Sequence, residues 1–547
     1  MPQQQPKITA CDETPAMHDQ PSRLTPRQQQ ILELLKAGKV NKEIATELGI
    51  GLGTVKQHMV ALFKKLQVTN RTMAVSQGLG QSELTPSSNE PVLVTGILER
   101  RPCVVLTVLL PDPPDSTLQA ELRQMLTLFA LANDCLLLMR KESRLELIFG
   151  PLRCSEFDVY KAYLAAKKIA TYYPNTSRLL RGAIAAGLAI VSMQRHGGCN
   201  GDVIASPVIG LARDLAEAAS PGCLHFDTRA QPLWQRCQPG IVYPPTERPF
   251  DQLSALPWKP IIDLPPMFGR ATVWQQMLNQ LQERSIGQRS LVALQGETGL
   301  GKSLFCLHLA NYQRQQGGLV WHISCFSKEL GPHLYVYPSG APLTVEQLVE
   351  DISTHPSNAL RLVIIDDCQQ LKNDALEHLV RLAETQDNLM LLFAGRRLGN
   401  TLTRHAMTIK LERLADQDIE RIVQHYHPSV NQDMLSAIVQ RAQGTPLFAQ
   451  ALAQQGNIKA GLPLLLQTVI MARLDNLSLD RKILAIIASS EQPLDVEQLA
   501  RQLNELPITL TALLDKALAS GVLTLSAKQF FFTHPLLRQA VVESLVE

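Results

Sequence analysis

No window of about 18 uncharged apolar residues occurs in the 547-residue chain, and its first residues, MPQQQPKITACDE, lack a basic stretch followed by an apolar one. A membrane span and a secretory leader are therefore not expected; a cytoplasmic protein without a membrane partner is. The ten cysteines, among them Cys103, Cys199, Cys306 and Cys368, include no C-x-x-C pair and no histidine at ligand spacing. That absence argues against a zinc module and for single, reduced, buried thiols. Net charge is also scarce, at +2, but it averages over unlike parts. No internal repeat period is visible.

What is present suits a multidomain globular chain. Hydrophobic residues make up 45% and charged residues 19%, and this length suggests about three or four domains. Residues 1–21 are polar and aperiodic, which predicts a disordered tail. Residues 80–91, GQSELTPSSNEP, read as a linker, and eight prolines between 239 and 266 mark residues 241–265 as a second.

Gly296-Glu297-Thr298-Gly299-Leu300-Gly301-Lys302-Ser303 satisfies G-x-x-x-x-G-K-[ST] at every specified position. An apolar strand, Ser290 to Gln295, precedes it and a helix follows, so its backbone N–H groups can cradle phosphate at a helix N-terminus. Lys302 would neutralise the β/γ-phosphates and Ser303 would ligate Mg²⁺. Downstream, the apolar run Leu362 to Ile365 leads into Asp366 and Asp367. At the C-terminal end of a buried parallel strand these acids arrive beside the phosphates, Asp366 toward Mg²⁺ and Asp367 toward the attacking water. Another apolar strand, Leu389 to Ala394, ends in Gly395-Arg396; Arg396 either senses the γ-phosphate or is a plain surface residue. ATP or ADP with Mg²⁺ is the implied cofactor.

Residues 23–71 carry nine basic residues against three acidic ones, the footprint of phosphate contact. Their apolar positions predict four short helices: Thr25-Pro26 opens the first, Gly38 ends it, and Asn41 and Gly49 bound the second. Gly53-Thr54 opens the third, a helix-turn-helix arrangement, and Met73 and Ala74 fall in the fourth. The stretch LTPRQQQILELLKAGKVNKEIATELGIGLGTVKQHMVALFKKLQVTNRTMAV resembles the LuxR-type helix-turn-helix, which sets the domain at residues 22–79. The resemblance implies that Thr54, Val55, Lys56, His58 and Met59 face the major groove of double-stranded DNA and that Lys42, Lys64, Lys65 and Arg71 face phosphates. Gln28 stands where that family usually has Glu, which removes an expected ion pair.

Residues 92–240 alternate strand-like and helix-like runs, an α/β or α+β pattern. Thr107 to Asp112, Ile148-Phe149-Gly150, Gly182 to Gly187 and Val208 to Gly222 resemble a class III nucleotidyl cyclase domain. Such a domain needs two metal-binding aspartates. Asp112 stands at the first place, but Ser143 occupies the second. The positions of the transition-state Asn and Arg fall on Gly210 and Asp214, or on Ile209 and Arg213 in the neighbouring register, so the Asn is missing either way. The expectation is a degenerate cyclase-like domain; an unrelated α/β spacer is the alternative.

The remainder, from residue 266 on, resembles a STAND ATPase, a signal-transducing P-loop switch, through Gly269-Arg270, the two phosphate motifs, Arg396 and Gly444-x-Pro446. Ala271 departs from the acidic residue common there. The resemblance implies an α/β P-loop core at 266–410, a helical subdomain at 411–475 and a winged-helix subdomain at 476–547. Arg270 and Pro446 join the nucleotide site, and His534 either contacts the nucleotide or is a buried structural histidine. The implied function is an ATP-dependent, sequence-specific transcriptional regulator whose exchange of ADP for ATP drives homo-oligomerisation, with slow hydrolysis as the reset. RNA polymerase and a signal ligand or protein are the further implied partners. A nucleotidyl cyclase regulated by its ATPase module and an ATP-driven DNA-bound scaffold are the competing readings.

Overall fold

The computed structural model describes residues 25–36, 41–66, 97–111, 116–140, 143–173, 177–195, 198–199, 205–237, 246–253, 264–282, 290–325, 334–337, 342–354, 360–371, 373–386, 388–396, 398, 400–457 and 460–546. The predicted tail, the 80–91 linker, the fourth short helix and Asp112 lie outside them. The chain divides into two units, residues 1–88 and 89–547.

In the first unit, α1 (Pro26–Lys36), α2 (Asn41–Glu47) and α3 (Leu52–Leu66) pack through Ile31, Leu32, Ile44, Ala45, Val55, Met59 and Leu62, all buried. Spacings of three and four residues set Val55, Met59 and Leu62 on one face of α3. Thr25 and Gln28 cap α1 reciprocally: the Gln28 amide donates to Thr25 Oγ1 at 3.3 Å and the Thr25 amide to Gln28 Oε1 at 3.0 Å. Gln28 therefore serves as the third residue of a capping box, where a neutral amide oxygen suffices. Arg27 Nη2 donates to Leu48 O at 2.7 Å, tying α1 to the end of α2.

The second unit begins with a six-stranded mixed sheet: β1 (Ile97–Leu109), β2 (Leu136–Arg140), β3 (Arg144–Phe149), β4 (Arg181–Met193), β5 (Cys223–Phe226) and β6 (Glu247–Pro249), in the order β2-β3-β1-β4-β5-β6. Only β4 and β5 run parallel. On it pack α4 (Ser116–Ala132), α5 (Asp158–Thr171) and α6 (Pro207–Ala218), and α7 (Gln231–Cys237) packs on α5 through Trp234. The edge strand β6 corrects the reading of 241–265 as a connector throughout. Pro249 is tolerated at a sheet edge because one side of that strand needs no donor, and Phe250 and Leu253 then enter the core.

A seven-stranded sheet follows, built from β7 (Ser290–Gln295), β8 (Leu319–Cys325), β9 (Leu334–Tyr337), β10 (Pro342–Leu343), β11 (Arg361–Asp366), β12 (Leu389–Gly395) and β13 (Met407–Lys410). Its order is β10-β9-β8-β11-β12-β7-β13, and β8, β11, β12, β7 and β13 are mutually parallel. β11 and β12 are buried throughout, as continuous apolar strands covered on both faces must be. Helices α8 (Ala271–Gln282), α9 (Lys302–Gln315), α10 (Val345–Thr354), α11 (Asn373–Thr385) and α12 (Asn400–His405) accompany it.

The C-terminal region is helical: α13 (Asp416–Tyr426), α14 (Gln432–Ala442), α15 (Pro446–Gln455), α16 (Leu464–Leu477), α17 (Arg481–Ser489), α18 (Val496–Leu503) and α19 (Pro507–Ala519). A two-stranded hairpin, β14 (Leu523–Ser526) and β15 (Gln529–Phe532), and α20 (Pro535–Ser544) complete it. Among the described residues no helix is long and apolar enough to cross a membrane.

Candidate functional site

Strand order creates the site. β12 lies between β7 and β11, and the register sets Gly395 opposite Gln295 and Phe393 opposite Ile365. Three strand ends thus finish level, bringing Gly296, Asp366 and Arg396 to one carboxyl rim, where parallel sheets bind ligands. The Gly296 amide donates to Gly395 O at 3.2 Å.

The loop then turns into α9. Gly299 and Gly301 have φ of +85° and +92°, a left-handed backbone that glycine alone adopts cheaply. At Gly299 a Cβ would also stand 3.0 Å from Thr445 Cγ2. Lys302 is buried, and its Nζ donates to the carbonyls of Gly296 and Glu297, each at 2.9 Å. Burial lowers its pKa against the pull of Asp367 and Asp366. Ser303 follows in the first turn of α9, while Glu297 is exposed and Leu300 is core.

Asp366 is buried at the end of β11, and its Oδ1 accepts the Asp367 amide at 2.9 Å. Asp367 has φ of +53°. Its carboxyl is raised to about 6 by burial first, then by the charges of Asp366 and Glu156. Gln369 joins the two strand ends: its Nε2 donates to Asp367 Oδ1 at 2.9 Å, and its Oε1 accepts the Arg396 amide at 3.1 Å. Arg396 Nη2 reaches Glu156 Oε1 of the first sheet domain, so Arg396 is neither free nor a plain surface group.

Arg270 is buried and donates from Nη2 to Leu300 O at 3.0 Å, bracing the loop's backbone. Pro446 occupies the first turn of α15, and the next amide, Leu447 N, donates to Gly299 O at 3.1 Å. His534 caps α20: Nδ1 accepts the Leu536 amide at 3.1 Å and Nε2 pairs with Ala442 O at 3.2 Å. With both ring nitrogens engaged inside the protein, His534 is the structural histidine of the two alternatives, and a nucleotide contact through it is corrected.

In the helix-turn-helix, Thr54 is exposed and His58 half-buried on the outward side of α3. Val55 and Met59 are 0% and 2% exposed, so the expectation that they face the groove is corrected; they hold α3 against α1 and α2. Lys42 belongs to α2 and Lys56, Lys64 and Lys65 to α3, with side chains outside the described set; Arg71 lies wholly outside.

Around the cyclase-like motifs, Ser143 is exposed and its carbonyl accepts the Leu110 amide at 2.8 Å. Gly210 and Asp214 sit on α6, Asp214 exposed. Arg213 makes a two-pronged pair with buried Glu146, Nε to Oε1 at 2.6 Å and Nη2 to Oε2 at 2.9 Å. Sequence reasoning missed Gln369, Glu156 and Arg236. The first carries a faint signal, a polar residue just past the paired acids; the other two carry none.

Residues 22–77 match the family described as "Bacterial regulatory proteins, luxR family". Over 51 residues the chain is 51% identical to the putative HTH-type transcriptional regulator YhjB of Escherichia coli (strain K12), covering 9% of this chain and 26% of that protein. It is 53% identical over 53 residues to the CsgBAC operon transcriptional regulatory protein of the same organism, covering 10% and 24%. The chain thus spans about a quarter of the length of these curated relatives. Among solved structures, a Walker-type ATPase of Pyrococcus abyssi superposes at TM-score 0.37 and 15% identity, covering 51% of this chain and 99% of that one. A signal transduction ATPase with numerous domains from Pyrococcus horikoshii gives TM-score 0.23 and 14%, covering 49% and 42%, and the guanylyl cyclase Cya2 gives 0.21 and 10%, covering 25% and 80%. At these TM-scores none of the three bears on the function below. Over residues 22–77 the chain carries a helix-turn-helix of the luxR family of bacterial regulatory proteins.

Proposed function

We propose that the protein is a sequence-specific, DNA-binding transcriptional regulator controlled by ATP or ADP at the Gly296–Ser303 loop. The observation that carries this reading is the level rim of three strand ends, which assembles Lys302, Asp366, Asp367 and Arg396 in a chain that also holds a LuxR-type helix-turn-helix. Loop amides and Lys302 would bind the phosphates. Asp367 would orient water for a slow hydrolysis that resets the switch, and Arg396 would bind the γ-phosphate.

The Ser303 hydroxyl and the buried Asp366 carboxylate are hard oxygen donors on this rim, the donor type magnesium takes. Mg²⁺, when bound, would offset phosphate charge. Thr54, Lys56 and His58 would read bases, with Lys42, Lys64, Lys65 and Arg71 on phosphates.

The α15 end braced on Gly299 supports a closed state sensitive to what the loop holds. Exchange of ADP for ATP would open the core and drive homo-oligomerisation, and clustering DNA-binding domains raises affinity through effective concentration. A signal ligand or protein would set the exchange, and RNA polymerase would read the outcome.

Light scattering with ADP, ATP and a non-hydrolysable analogue, on wild type and Lys302→Ala, tests this. Assembly only with triphosphate, absent in the variant, is expected; an unchanged mass in every state would sink nucleotide-driven assembly. DNA binding without a preferred site would favour a scaffold instead.

A further inference from the structure

The nucleotide rim does not end at the seven-stranded sheet. Glu156, in the loop before α5 of the first sheet domain, is only 8% exposed and faces two guanidinium groups from two domains. Its Oε2 accepts from Arg236 Nε at 3.1 Å with Arg236 Nη2 also 3.0 Å away, and its Oε1 accepts from Arg396 Nη2. Burial alone would raise the Glu156 carboxyl, but the two arginines outweigh it and hold it below the usual range.

Arg236 is presented by a stiff platform. It lies near the end of α7, two residues after Trp234, which is fully buried and packs edge-on against Tyr160 at 5.7 Å and Tyr163 at 5.2 Å. Arg236 also feels the negative charges of Asp367 and Asp366, and Lys302 feels the positive charges of Arg236 and Arg396. Three cations and three carboxylates thus surround one rim.

Of the three acids, Asp366 and Asp367 end a buried strand, whereas Glu156 comes from a loop of another domain. One carboxylate shared between two guanidiniums is a chemistry that a phosphoryl group, with three oxygens and more charge, satisfies better. A nucleoside diphosphate would leave that place to Glu156; a triphosphate would contest it.

We infer that Arg236 is a second γ-phosphate-binding residue, supplied by the first sheet domain beside Arg396, and that Glu156 is the internal anion a nucleoside triphosphate displaces from both. The inference rests on the nucleotide-site reading above. It makes the first sheet domain part of the nucleotide sensor, and it sets triphosphate against diphosphate by one local exchange of anions.

The test is equilibrium binding of fluorescent ADP and of a fluorescent non-hydrolysable ATP analogue to the full chain, with wild type, Arg236→Ala, Arg236→Lys and Glu156→Gln. Losing a charge-assisted contact predicts that Arg236→Ala weakens the triphosphate about tenfold while ADP affinity holds. Glu156→Gln, by removing the competing anion, is expected to favour triphosphate over diphosphate about tenfold more than wild type does. Retained ADP affinity reports an intact fold. If Arg236→Ala loses ADP as well, Arg236→Lys and Glu156→Gln decide by the same ratio. A triphosphate-to-diphosphate ratio equal to wild type in the variants that bind ADP overturns the inference. Wild type binding neither nucleotide overturns the nucleotide site itself, a separate failure.

Discussion

Two of the ionic networks that join the first sheet domain to the rest of its unit differ in what each could exchange. In one, Arg101 of β1, fully buried, pairs with Glu99 at 3.1 Å and with Asp475 of α16, while Arg481 of α17 meets the same two acids. The Cys154 amide also donates to Asp475, at 2.7 Å. Two cations and two anions close on each other, all at 4% side-chain exposure or less. In the other, Glu156, only two residues beyond Cys154, is shared by Arg236 and Arg396, whose side chains are 23% and 26% exposed and whose charges act on Lys302 of the loop. A closed network, out of water, admits no competing ion and acts as a fastening. A more open one beside the Gly296–Ser303 loop is the kind that the proposed nucleotide site would let trade its anion.

The largest expected effect separates the two. Arg101→Met leaves buried Glu99 and Asp475 with one cation between them, and should cost about 3–5 kcal/mol in unfolding of residues 89–547. The ATP-to-ADP binding ratio should not change; a changed ratio in the surviving fold would mean that both networks sense nucleotide.

The C-terminal region that receives the fastening has its own acid-sensitive point. Burial holds His534 down to about 4, helped by Arg413 and Arg473 and opposed by the Ala442 carbonyl. An unfolded histidine titrates near 6.5, so between these values the unfolded state takes up a proton that the folded state refuses. Stability is therefore full above about pH 6.5 and falls as the pH drops toward 4, by about 3 kcal/mol. Thermal unfolding at pH 7 and pH 4.5 measures this, and His534→Asn, which keeps a capping oxygen, should flatten the difference.

Glu156→Gln should shift stability by only about 1 kcal/mol, as an amide can still accept one hydrogen bond, while changing nucleotide preference. A loss as large as that of Arg101→Met would make the second network a fastening too. An effect no larger is expected of Arg195→Ala, which removes pairs with Asp480 and Glu505. Arg195 and Glu505 are each more than a quarter exposed, and Asp480, though buried, keeps the Ile483 amide as a donor, so chemical denaturation should register about 1 kcal/mol.

Much of the candidate site was legible because its chemistry is local. Gly299, Gly301, Lys302 and Ser303 lie within five residues, and their backbone conformation follows from their types. Asp366 and Asp367 were legible because an unbroken apolar strand ending in acids is itself a directional signal. On α3 the sequence located a helix but not its phase: Val55 and Met59 read as groove contacts until the packing of α1 and α2 turned them inward. His534 was open between two roles until Ala442 O and the Leu536 amide took its nitrogens. The connector near Pro249 read as a linker because a proline-tolerant sheet edge and a linker share a composition.

By itself, then, the amino-acid order determined the glycine-rich loop Gly296–Ser303, the acidic strand end and the helix-turn-helix, since each depends on residues close together in the chain. The tertiary structure alone decided which way α3 faces, that β12 sets Arg396 beside the loop, and that Glu156 bridges Arg396 and Arg236 across two domains. Those are meetings of residues up to 240 positions apart. Side-chain charge at such separations becomes an interaction only when the folded backbone brings the groups within a few ångströms and excludes water between them.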